Sequence, residues 1–271
     1  MFRKIILYTV LIVTALTMIV PFWWMIVTSL EAEANIMLPY PPRFIPEDIT
    51  LQNYVNAMTE APFFRFFVNS VIVATSVCVL QLLVGSMGGY AFAKGNFIGK
   101  KYFFIVVLAT MMIPLHIRII PMFDLVLKFG MVNSYMGLIL PAVPVAYGTY
   151  LLRQYIMTIP DELLDACRID GWSELRIYAN LILPLAKPAM ATLALLSFLG
   201  NWNSFLWPLI VIMDNDLYTI PLGLMNFRQQ FTAEWGNLMA ATTLAMIPIV
   251  VLFIFTQRYI TEGIALSGLK G

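Results

Sequence analysis

Six apolar runs decide what this chain can be. They cover residues 5–30, 64–92, 102–123, 135–152, 189–212 and 238–259, and each is long enough to cross a hydrocarbon core of about 30 Å as a helix. Lipid offers no partner to a bare N–H or C=O, so a crossing run must satisfy its backbone internally, as a helix does along its own axis. The totals agree. Of 271 residues, 61% are hydrophobic and 11% charged, where a soluble domain carries about 25% charge. The sequence therefore reads as one all-α integral membrane domain over residues 1–271. A net charge of +1 offers nucleic acid no basic surface. Cys78 and Cys167 share no metal or redox spacing, and His116 is the one histidine, so no metal site and no catalytic residue is expected.

The joins between the runs carry less signal. The first run follows Arg3 and Lys4. It is longer than the apolar core of about 7–15 residues in a secretory signal, so it reads as an uncleaved span, although Ala32-Glu33-Ala34 has the form of a cleavage site. Residues 31–65 read as an extended, proline-rich loop with a short helix near 51–58. Gly85, Gly88 and Gly89 would let another helix approach the second run closely. Gly95 to Lys101 has part of the spacing of a phosphate-binding loop, but it is one residue too short, lacks the Ser/Thr and joins no strand to a helix. In the third run, a straight helix would carry Arg118 about 24 Å in, near the far surface, where its head reaches water. Asn201, Trp202 and Asn203 interrupt the fifth run. Two amides there need partners, either on neighbouring helices or along a wet path. Residues 214–235 read as a polar loop.

Between the fourth and fifth runs lies the densest charged island, within residues 153–188. A mere connection could be far shorter. Pro160 suits a first helical turn, and Asp161 and Glu162 suit a helix N-terminus. Leu163, Leu164 and Cys167 share one side at i, i+1, i+4 spacing. Gly171 stands where the helix should stop, since glycine takes the left-handed conformation without strain. Ser173 then N-caps a second helix through Leu175, Ile177, Tyr178 and Leu181, and Pro184 and Pro188 lead into the next run. The small apolar face of the first helix fits either a partner's groove or a lipid surface.

Six crossings put both termini on one side. With that side inside, the outer segments hold only Arg43, Arg65, Arg118, Lys128 and Arg228 of the 16 basic residues, the arrangement favoured by the positive-inside rule. Residues 153–188 are then cytoplasmic. Three classes of function stay open on these residues. One is a subunit driven through this loop by another protein. A second, a secondary transporter or channel, would need ionisable groups at mid-membrane, and none is central. A third, a membrane-embedded enzyme, would need a nucleophile–base pair or metal cluster at depth, and His116 stands alone.

The segment Asp165-Ala166-Cys167-Arg168-Ile169-Asp170-Gly171, followed by Leu183-Pro184-Leu185 and Pro188, resembles the EAA loop of ABC-importer permeases. Asn53-Tyr54, residues 66–71, residues 91–99, Ile113-Pro114 with Ile120-Pro121, Trp202-Asn203 with Trp207-Pro208-Leu209, and Gln257-Arg258-Tyr259-Ile260 with Gly268-Leu269-Lys270-Gly271 resemble the carbohydrate branch, in particular MalG-like subunits. Asp165 stands for the family's Glu and Cys167 for its second Ala. The resemblance implies a MetI/MalG-like permease fold of six transmembrane helices with a cytoplasmic coupling helix, in a bacterial or archaeal cytoplasmic membrane. It implies a sugar or oligosaccharide importer in which this chain is not an enzyme and binds no cofactor, with ATP and Mg on partner ATPase subunits. The implied partners are a second, MalF-like permease, two ATPase subunits, an extracytoplasmic sugar-binding protein and the bilayer. Leu164, Asp165, Ala166, Cys167, Arg168, Asp170 and Gly171 would couple to the ATPase, with Leu164 and Cys167 as the buried knob. Asn201, Trp202 and Asn203 are pathway candidates. Leu222, Gly223, Leu224, Met225 and Asn226 would meet the binding protein, and the tail with Lys270 and Gly271 would reach the ATPase interface.

Gly171→Asp is expected to leave the chain inserted in the membrane while uncoupling transport. Substrate-stimulated ATP hydrolysis in reconstituted vesicles measures this, and a wild-type rate contradicts it.

Overall fold

The computed structural model describes the backbone of residues 2–35, 41–230 and 234–268, and the side chains of residues 2–35, 41–225 and 234–258. Among the described residues there is no strand, and one isolated β-bridge joins Glu31 to Ile49. The helices are α1 (Phe2–Ser29), α2 (Gln52–Thr59), α3 (Phe63–Lys94), α4 (Lys100–Met111), α5 (Leu115–Lys128), α6 (Tyr135–Ile139), α7 (Ala146–Ile156), α8 (Asp161–Ile169), α9 (Glu174–Ile177), α10 (Leu183–Leu185), α11 (Lys187–Trp202), α12 (Leu206–Val211), α13 (Ile220–Gln230) and α14 (Trp235–Gly268). A π-helical turn, Tyr178–Ile182, fills the gap between α9 and α10.

Three helices, Phe2–Ser29, Phe63–Lys94 and Trp235–Arg258, are each long and apolar enough to cross a membrane. Three further pairs pass the same test only together, and each is bent: Lys100–Met111 with Leu115–Lys128 by 102°, Tyr135–Ala142 with Ala146–Ile156 by 43°, and Glu174–Leu185 with Lys187–Trp202 by 79°. Prolines account for the breaks. Pro114 has φ −58° and ψ 144° and pushes Ile113 out of the helical region. The third break falls at Ala186, and Pro188 in the first turn of α11 has no N–H for the carbonyl of Pro184, four residues back across it. The helix breaks correct two expectations. The depth of Arg118 cannot be counted along a straight axis, because the chain turns before reaching it. The fifth run is not one helix over 189–212 either. It ends at Trp202 and resumes as α12.

The chain divides into two compact units, Met1–Phe67 with Thr219–Pro248, and Val68–Tyr218 with Ile249–Gly271. In the first, polar side chains tie the loop after α1 to the start of α14. Buried Glu31 takes Arg43 Nη1 at 3.4 Å and the backbone N–H groups of Glu47 and Asp48 at 3.1 and 3.4 Å. Asn53 donates to the carbonyls of Ser29 and Glu31, both at 3.0 Å. Asn35 accepts the N–H of Asn237 at 3.0 Å and donates to Asn53 Oδ1 at 2.7 Å. A buried carboxylate or amide is costly unless its valences are filled in this way.

In the second unit the glycines of α3 meet α7, as the sequence suggests. A Cβ on Gly89 would stand 2.9 Å from Leu152 Cβ and 3.0 Å from the Arg153 nitrogen, and one on Gly88 would stand 3.1 Å from Thr149 Cγ2. The core beneath this contact joins Leu152, Ile156, Leu164, Ile177, Ile182 and Leu193, each at most 1% exposed.

Gly89→Ala is expected to lower stability by roughly 1–3 kcal/mol, the usual cost of overpacking. Gly200→Ala, where a Cβ meets nothing within 4 Å, is expected to be neutral or stabilising by up to about 1 kcal/mol. Chemical unfolding in detergent measures both.

Candidate functional site

The charged segment folds as its local chemistry dictates. Pro160 precedes α8, and Asp161 and Glu162 occupy its first turn. The helix closes with both hydrogen bonds of a Schellman motif, Trp172 N–H to Cys167 O at 3.0 Å and Gly171 N–H to Arg168 O at 3.0 Å. Gly171 sits at φ +77°, and a Cβ placed there would meet nothing within 4 Å, so backbone conformation and not room requires glycine at this position. Ser173 Oγ then accepts the N–H of Arg176 at 3.4 Å and caps α9.

The side chain pointing inward is Leu164, 1% exposed, in the core with Ile156, Ile177 and Ile182. This corrects the expectation that Leu164 forms a knob for a partner. The helix needs Leu164 to stay seated on its own bundle. Cys167 is partly buried and packs against the same core. The outward face carries Leu163, 44% exposed, Ala166, and Ile169, 86% exposed, at i, i+3, i+6.

A polar cleft of about 670 Å³ runs beside α8, lined by Lys94, Asn96, Asp161, Asp165, Arg168 and Glu174 among others. Arg168 bridges Asp165 Oδ1 and Glu174 Oε1, both at 3.0 Å. Glu174 Oε2 accepts the hydroxyl of Tyr90 at 2.6 Å. The buried ammonium of Lys94 donates to Ile159 O and to Asp161 Oδ1, both at 2.6 Å. Its hydrogen bond and charge hold the Asp161 carboxyl below the usual carboxylate range. Asp170 is exposed at the C-cap of α8. Sequence reasoning found α8 and its stop, but missed Ser86, Tyr90, Lys94 and Glu174. The available signal was three polar residues spaced four apart at the end of an otherwise apolar run.

The other expected sites are scattered. Asn201 and Asn203 turn their amides back on their own helix, to Ser197 O at 2.7 Å and Leu199 O at 2.9 Å. Trp202 is 2% exposed and stacks on Phe198 at 5.4 Å. The triplet thus stands at the broken end of α11 rather than inside a continuous span. Asn201 also lines a small cavity of about 170 Å³ with Gln81, Tyr147 and Ser197. Arg118 lines an open apolar cleft of about 910 Å³ with Ile113, Pro121 and Phe129.

The polar loop expected over 214–235 is instead largely helix α13. Gly223 packs so closely on Phe66 that a Cβ would overlap its ring, and Leu222 is 4% exposed. These two residues are interior, Leu224 is half-buried and Met225 faces out. The side chain of Asn226, and Lys270 with Gly271, lie outside the described residues. No group of acidic, His or Cys side chains among the described residues could hold a metal ion.

A family model described as binding-protein-dependent transport system inner membrane component matches residues 81–265. The chain is 42% identical to the arabinooligosaccharides transport system permease protein AraQ of Halalkalibacterium halodurans, over 84% of this chain and 82% of that protein. It is 36% identical to the sn-glycerol-3-phosphate transport system permease protein UgpE of Escherichia coli O157:H7, over 83% of each. Its fold is that of a chain from a bacterial ABC transporter involved in the import of the acidic polysaccharide alginate, at a TM-score of 0.83 and 22% identity over 96% of both chains.

Leu164→Ala is expected to cost about 2–5 kcal/mol of stability, as a buried leucine does. Leu163→Ala on the outward face should cost under about 0.5 kcal/mol. Paired unfolding curves of the two variants in detergent test this assignment of faces.

Proposed function

The chain belongs to the family of binding-protein-dependent transport system inner membrane components, and from that membership we propose that it is a permease subunit of an ATP-driven importer for a carbohydrate. The reading gives it a MetI/MalG-like fold with six crossings, three of them bent, both termini and α8 on the cytoplasmic side. The observation that carries the reading is the construction of α8. Its inner face is locked into the bundle by Leu164, and its outer face presents Leu163, Ala166 and Ile169 to a partner. A helix held rigidly on one side and uncovered on the other transmits a push without being the source of it.

The energy source is then another chain. The sequence holds no phosphate-binding loop, so ATP and Mg belong to two ATPase subunits. The outer face of α8 sits in an ATPase groove, with Asp165, Arg168 and Asp170 at its rim and Gly171 ending the helix sharply. A MalF-like second permease completes the pore. The 18-residue apolar window of α1 is 0% buried within this chain, which leaves its surface to lipid and to that second permease. The carbohydrate cargo rests on the arabinooligosaccharides named for the AraQ relatives. In this reading a sugar-binding protein docks outside, where Met225 on α13 is the exposed contact, and Asn201 with its small cavity lies on the path.

Affinity-tagged protein extracted in mild detergent is expected to bring down an ATPase and a second, different permease. Charge at Ala166 (Ala166→Glu) should release the ATPase and keep the permease. Purification of the chain alone, in company of neither, overturns the reading.

A further inference from the structure

We propose that α3 is carried along with α8 through a polar stripe of Ser86, Tyr90 and Lys94, positioning residues that make a third span move with the coupling segment; this rests on the reading of the chain as an importer permease. The three residues are spaced i, i+4, i+8, so they lie one above another on a single face across about 12 Å of helix. Each reaches a different part of the coupling segment. Ser86 Oγ lies 2.7 Å from the Tyr178 hydroxyl in the π turn. Tyr90 donates to Glu174 at the start of α9 at 2.6 Å. Lys94, its side chain 7% exposed, binds Ile159 O before α8 and Asp161 in its first turn.

The remaining connections of the segment explain why such a stripe is needed. The chain itself joins α8 to α7 on one side and, through α9, to α11 on the other, so those two helices follow it covalently. Helix α3 lies 65 to 92 positions away along the chain at these contacts and can follow only through non-covalent bonds. Its glycine face against α7 gives close apolar contact, which attracts but does not fix direction. Hydrogen bonds do fix direction. Glu174 is the junction, because one oxygen takes Arg168 of α8 and the other takes Tyr90 of α3. Displacement of α8 therefore reaches α3 through two charge-assisted contacts at Glu174 and a buried ammonium at Lys94.

The test uses the complete transporter in lipid vesicles, with spin labels at Met87 on α3 and Glu162 on α8, both exposed, and Cys78 and Cys167 replaced by Ser. Distances by double electron–electron resonance are compared without nucleotide and after trapping with ATP and vanadate. The expected result is one distance in both states for the parent. In Tyr90→Phe/Lys94→Met the trapped state should shift beyond the width of the parent distribution, while ATP hydrolysis persists. Tyr90→Phe alone, which removes one hydroxyl, should show a smaller shift of the same sign. A parent distance that changes on trapping, or variants that keep the parent distance, overturns the stripe. Failure of the parent to assemble with ATPase subunits overturns the importer reading instead.

Discussion

The seat of α8 on its own bundle is the contact on which the rest depends. Leu164 inserts among Ile156, Ile177 and Ile182, all 0–1% exposed. This apolar contact lies where the chain emerges from its membrane-crossing stretches, so it holds in place a segment otherwise covered with charge. Each fully buried aliphatic side chain contributes about 1.5–3 kcal/mol relative to exposure, which is enough for one short helix to stay fixed. Without that seat, α8 would be an amphipathic helix free to lie anywhere on a surface. With it, the outer stripe of Leu163, Ala166 and Ile169 has a defined direction.

The polar contacts around this seat add direction to the adhesion. Arg168 and Glu174 close α8 onto α9, and Lys94 and Tyr90 attach both to the end of α3. The exposed pairs among them, Arg168 with Asp165 and with Glu174, add little stability, about 0–1 kcal/mol. Their value is geometric, since a bond with a preferred angle resists sliding in a way that packed methyl groups do not. Cys167 is absorbed by the chain's own core, and Asp165 is engaged by Arg168. Both side chains therefore act first on how α8 is held.

The prolines do for the spans what Leu164 does for the segment. Each removes a backbone bond that a straight helix would need. The bends at Pro114 and before Pro188 turn what could be continuous helices into paired ones. Helix ends expose carbonyls and amides that require partners, and at the C-terminal end of α11 Asn201 and Asn203 turn their own amides onto its carbonyls. Elsewhere the need is met by asparagines, as where Asn35, Asn53 and Asn237 close the loop after α1 onto α14.

Local pattern made much of this legible. The apolar runs, α8 with its stop at Gly171, the cap at Ser173, the short helix α2 and the close-packing glycines of α3 all follow from residues near in sequence, because helix formation, capping and left-handed turns are short-range effects. What local pattern could not show was which side of α8 faced in, since Leu163 and Leu164 are chemically alike and adjacent. It also could not show that Gly223 and Leu222 are interior, that Arg118 follows a sharp turn, or that Ser86, Tyr90 and Lys94 reach across 65 or more positions to the segment around α8 and α9. A helical, membrane-crossing chain with one charged, capped helix between spans follows from the residues alone, because burial in lipid and backbone satisfaction act on each segment separately. Which leucine anchors that helix, and which span is tied to it, emerges only in the folded chain, because those choices depend on what distant segments bring to the same place.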